Sequence, residues 1–153
     1  MNLGAFFSRR LSKLVILLAL VGCGAALAQG QIIHAVATTG MVADVVKNVG
    51  GPCVQVEAIM KPGVDPHLYK AKPSDVRRFY FADIIFYSGY HLEGQLAKVL
   101  EAFAERKPVV ALTESAIEPS EVFNLPGENV YDPHLWMDVS LWARTPPTGW
   151  WTR

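Results

Sequence analysis

Two pentapeptides built to one plan stand 67 positions apart, Asp65-Pro66-His67-Leu68-Tyr69 and Asp132-Pro133-His134-Leu135-Trp136. The chain has four histidines, and two of them fall at the same place in this repeated frame. Neutral imidazole is the commonest protein ligand for zinc and also suits manganese and other first-row metals. His67 and His134, presented from matching loops, are therefore expected to form half of a metal site. Each proline fixes its own φ and pushes the preceding aspartate toward an extended conformation, so each histidine leaves its loop in a restricted direction. Asp65 and Asp132 can accept a hydrogen bond from the ring nitrogen turned away from a metal, or from loop amides. His34 falls inside the first expected strand and reads as a packed or edge histidine. His91 follows another strand end and is a weaker candidate for the same rim.

Other chemistries leave fewer traces. No Gly-rich phosphate loop, no Gly-x-Ser-x-Gly elbow and no His-Glu-x-x-His spacing occurs. A secreted zinc metallohydrolase, with His67 and His134 on zinc and Glu93 activating water, is the alternative from another class. Hydrolytic zinc usually has three protein ligands, which counts against it. A surface adhesin or interaction module is a third reading, though no recognisable protein-binding motif supports it. No catalytic residue is assigned, and the chain is read as a non-enzyme.

The elements that must position the histidines alternate in type. Ile32 to Ala37 is a β-branched apolar run, and Met41, Val42, Val45, Val46 and Val49 make a helical stripe that Gly50-Gly51-Pro52 ends. Val54 to Met60 alternates like a strand, Lys61-Pro62-Gly63 stops it, and the first histidine loop follows. Lys72-Pro73-Ser74-Asp75 reads as a helix start with Ser74 as N-cap and Asp75 in the first turn. Asp83 to Ser88 is expected to be a buried strand, Leu92 to Phe103 an amphipathic helix, and Pro108 to Leu112 a further strand. This order implies an α/β fold, a parallel sheet with helices on both faces, whose ligands bind beyond the carboxyl ends of the strands. His67 falls there directly. His134 reaches the same rim only after the long loop from Thr113 to Tyr131.

The first 28 residues have the layout of a secretory signal: Arg9, Arg10 and Lys13, then an apolar run, and no acidic residue. Cleavage after Ala26-Leu27-Ala28 would release a soluble export beginning at Gln29. Leu20-Val21-Gly22-Cys23 equally fits a lipoprotein signal over residues 1–22, with lipid on Cys23 as the chain's one link to a membrane. The expected location is the periplasm or cell surface. Of 14 Lys and Arg, three lie in the leader, which leaves 11 against 14 Asp and Glu. That acidic balance argues against nucleic acid as a partner. Cys53 is then the one remaining thiol, expected to be buried or half-buried near a turn. Residues 29–144 are expected to form one domain. Residues 145–153, with paired prolines and two tryptophans, are expected to be an aberrant tail.

Five ordered segments carry a resemblance: Thr38 to Asp44, Met60 to Tyr69, Pro73-Ser74-Asp75, Tyr87 to Glu93, and Asp132 to Asp138. From about Ile32 to Arg144 the chain resembles the zinc- and manganese-binding solute receptors of bacterial ABC transporters. The resemblance implies two α/β domains joined by a long helix, with a transported Mn²⁺ or Zn²⁺ held between them and a membrane permease as partner. Two histidines of the amino-terminal domain would bind the metal, and His67 and His134 match them. A histidine and a carboxylate of a carboxy-terminal domain would complete the set. After Arg144 the chain departs from the family pattern, so the expectation is a truncated product, its carboxy-terminal domain absent, with a half-site. Zinc-dedicated members often carry a His-rich loop between the first two ligands, whereas Thr113 to Tyr131 holds no histidine. The expectation leans to manganese.

Overall fold

The computed structural model describes residues 31–124 and 130–145. The expected leader, Cys23 and the tail beyond Thr145 lie outside the described residues. Four parallel strands form the sheet in the order β2-β1-β3-β4: β1 (Ile33–Ala37), β2 (Val54–Ala58), β3 (Ile84–Tyr87) and β4 (Val109–Ala111). The helices are α1 (Gly40–Gly50), α2 (Pro73–Phe81), α3 (Ala97–Ala104) and a short α4 (Val139–Trp142).

Two apolar layers explain why the helices divide between the faces. Ala35, Ala37, Val54 and Phe86 point to one face and bury Val42 and Val46 of α1. Val36 and Ile85 point to the other and pack with Phe79 of α2 and Leu96 and Leu100 beside or in α3. This is the period-two alternation of strands met by the 3.6-residue period of helices, with apolar burial contributing ~25 cal/mol per Å². A third cluster, Tyr90, Ile117, Val122 and Leu135, lies under the second histidine loop.

Boundaries differ from the sequence reading where a side chain outcompetes propensity. Lys72, not Ser74, is the N-cap of α2, with Pro73 in the first turn. The reason is Asp75, whose Oδ2 accepts the Lys72 amide at 2.8 Å and so sets the start two residues earlier. The expected helix from Leu92 begins only at Ala97, because residues 90–96 form turns. Cys53 is exposed rather than buried, since a 3₁₀ turn over Gly51–Cys53 turns it outward ahead of β2.

Candidate metal centre

Strand order reverses between β1 and β3, which in open α/β sheets opens a crevice beyond their carboxyl ends. Here a carboxylate fills it. Glu93, 3% exposed, accepts hydrogen bonds from Thr38 Oγ1 at 2.6 Å, the Ser88 amide at 2.7 Å and the Gly89 amide at 3.3 Å. Burial pushes its carboxyl above the usual range, with these hydrogen bonds pulling the other way. Glu93 therefore ties the ends of β1 and β3 together and is not free to activate water, which removes the base from the metallohydrolase alternative.

The histidines sit further out on the rim. His67 Nε2 and His134 Nε2 are 3.3 Å apart, their ring planes inclined at 63°. The two pentapeptides build the same local turn. Asp65 Oδ1 accepts the His67 amide at 2.9 Å, and Asp132 Oδ1 accepts the His134 amide at 3.0 Å. They part at the ring: Asp132 Oδ1 also takes His134 Nδ1–H at 2.6 Å, whereas Asp65 has no such bond. Of the two roles open to these aspartates, Asp132 fills both and Asp65 only the amide one. The hydrogen bonds from His134, amide first and ring second, hold the Asp132 carboxyl below its usual range.

That contact decides a tautomer. With its Nδ1–H donating to Asp132, the His134 ring in that tautomer presents a lone pair at Nε2, and His67 Nε2–H can donate to it when no ion is present. Each loop is anchored behind its histidine. Tyr69, two residues after His67, is buried and donates its hydroxyl to Asp75 Oδ2 at 2.6 Å; burial and that carboxylate push its pKa up to about 12. Leu135, next to His134, is buried in the third cluster. Beneath the first loop, a Cβ on Gly94 would meet the His67 carbonyl at 3.5 Å.

The other histidines are placed differently. His34 is exposed toward the amino end of β1, its amide bonded to Asp83 Oδ2 at 2.8 Å, away from the rim. His91 lines a cavity of about 410 Å³ together with His67 and His134. Among the described residues no group of three His, Cys, Asp or Glu side chains stands close enough to hold a metal. Sequence reasoning missed the Glu93 bridge and the Tyr69–Asp75 anchor. A tyrosine six residues before an acidic residue in a first helical turn is a weak signal for the second; none was available for the first.

The described residues thus form a parallel α/β lobe with two apposed imidazoles beyond its strand ends. The sequence model of the ZnuA family, described as zinc-uptake complex component A, periplasmic, matches residues 35–145, and the chain belongs to that family. It is 41% identical over 127 residues to the manganese-binding lipoprotein MntA of Bacillus subtilis (strain 168), covering 81% of this chain and 41% of that protein. It is 44% identical over 108 residues to the zinc-binding protein TroA of Treponema pallidum (strain Nichols), covering 71% of this chain and 34% of TroA. The solved structure of the periplasmic zinc-binding TroA from Treponema pallidum superimposes with a TM-score of 0.70 at 41% identity, over 74% of this chain and 40% of that one. The chain thus spans about two-fifths of the length of these relatives.

Proposed function

We propose that residues 29–144 form the amino-terminal lobe of an extracytoplasmic receptor that binds manganese or zinc as cargo for an ABC transporter, with His67 and His134 as its metal ligands. The observation that carries this is the 3.3 Å separation of the two Nε2 atoms. Nitrogens ~2.0–2.1 Å from one tetrahedral ion stand roughly 3.3–3.4 Å apart, so the rings already have the spacing that a shared ion requires. Asp132 presets the His134 tautomer; binding asks His67 to move its proton to Nδ1. The two loops, held by Tyr69 and Leu135, limit the entropy lost when both ligands engage.

The two imidazoles supply half of a four-coordinate shell, and water or groups outside the described residues would supply the rest. Affinity order favours zinc over manganese at a bare imidazole pair, so preference for manganese must come from geometry and availability. The relatives, a manganese-binding lipoprotein and a zinc-binding protein, support both cargoes. Delivery to a membrane permease, an exported location and the absence of enzymatic turnover belong to the same reading.

Calorimetric titration of the chain with Zn²⁺ and Mn²⁺ at neutral pH tests it. His67→Ala and His134→Ala should each nearly abolish binding, while His34→Ala leaves it close to unchanged. Equal losses from all three substitutions would refute the assignment.

A further inference from the structure

We propose that Trp136 is a positioning residue of this metal centre: its indole holds the plane of the His134 ring and so keeps that ring at ligand spacing from His67. This rests on the reading above and adds the group that sets its geometry.

The two pentapeptide frames use their last two positions in opposite ways. In the first, the turn closes at Leu68, which is 66% exposed, and the buried Tyr69 goes inward to Asp75. In the second the roles are exchanged. Leu135 is 4% exposed, and the backbone runs on as a 3₁₀ turn over Leu135–Met137, the Met137 amide donating to the His134 carbonyl at 3.0 Å. That turn leaves the indole beside the histidine of its own frame. The Trp136 and His134 rings stand edge to face, with centroids 5.2 Å apart and planes inclined at 69°, an arrangement that aromatic rings prefer.

This contact supplies what Asp132 cannot. A hydrogen bond at Nδ1 fixes one edge of the His134 ring at 2.6 Å, but the ring can still swing about that bond. Its side chain is 44% exposed, so general packing does not stop the swing. Two rings flank it, Trp136 at 5.2 Å and His67 at 5.3 Å. Of these, His67 is the partner whose distance has to be set, so the restraint comes from Trp136. The indole is itself braced: half-buried, it lines a cavity of about 500 Å³ with Met60, Trp142 and Pro66, the last of these the neighbour of His67.

Trp136→Leu, which keeps apolar bulk, and Trp136→Phe, which keeps a ring, test this in the whole chain. Proton cross-peaks between the His67 and His134 rings, recorded without metal, read the spacing, and calorimetry with Zn²⁺ reads its consequence. Trp136→Leu should weaken those cross-peaks and lower zinc affinity roughly tenfold, the lower end of what a lost partner of a ligating histidine costs. Trp136→Phe should keep both near wild type. A residue that only supports the fold would shift the melting temperature and leave the cross-peaks in place. Undiminished cross-peaks in Trp136→Leu, or equal losses in the two variants, would overturn the proposal and leave the two-histidine site standing. So would a wild-type spectrum without cross-peaks from the indole to the His134 ring, an outcome that needs no variant to fold. A wild-type chain that shows the ring cross-peaks and binds no Zn²⁺ would overturn the metal centre, and the proposal with it.

Discussion

His67 and His134 come from sequence frames that match residue for residue up to the aromatic position, yet the two rings are not equivalent. One Asp132 oxygen takes both the amide and the Nδ1–H of His134, while Asp65 takes only the amide of His67. One ring is therefore set in the tautomer that the proposed metal site needs, and the other is not. Asp132→Asn keeps an oxygen able to accept the amide but replaces a charged acceptor by a neutral one, which weakens the hold on the ring. Zinc affinity should fall about 10–100-fold, the usual range for a disturbed partner of a ligating histidine. Asp65→Asn should change it far less. Calorimetry on the two variants checks the difference, and equal losses would mean that the aspartates serve only their turns.

At the scale of elements, the first histidine loop is held by a helix start. Asp75 accepts from the Tyr69 hydroxyl and the Lys72 amide, and Arg78 adds a longer contact at 3.4 Å, so one buried carboxylate joins loop to α2. Because the folded state raises the Tyr69 pKa from 10.0 to about 12, it keeps this proton longer than the unfolded chain does. The stability from this link is complete below about pH 10 and is lost as pH rises toward about 12. Denaturant melts across that window should show a steeper loss in the wild type than in Tyr69→Phe; parallel slopes would show that the phenol contributes nothing. The helix itself was legible in Lys72-Pro73-Ser74-Asp75, but its cap was not, because Asp75 reaches back to Lys72 and the local rule favours serine. The α/β alternation was equally plain from strand and helix periods. The turns over residues 90–96 were not, since Leu92 and Leu96 are fully buried there at helical spacing without forming a helix.

At the scale of the molecule, the strand order β2-β1-β3-β4 puts a reversal beside β1, and Glu93 closes the crevice that the reversal would open. The proposed metal site then lies further out, on the two loops that carry the repeated frame. No periodicity could show Glu93 doing this, because its partners Thr38 and Ser88 lie on different strand ends and meet only once the sheet has formed. A single cation ties the opposite end of the fold. Lys107, just before β4, donates its Nζ to the carbonyls of Phe79, Tyr80 and Ala82 at 2.8, 2.7 and 2.6 Å. These are carbonyls at and just past the end of α2, the groups a helix leaves without intrahelical partners. The cap is thus borrowed from a segment more than twenty residues further along. In native-state hydrogen exchange, the last-turn amides of α2 and the amides of β4 should then open as one cooperative unit, with a common free energy. Lys107→Met, which keeps the aliphatic stem, should split them, α2 exchanging first. The carboxyl end of α2 is in this sense a property of β4, and its lifetime in the native protein should be set by how long that strand stays docked.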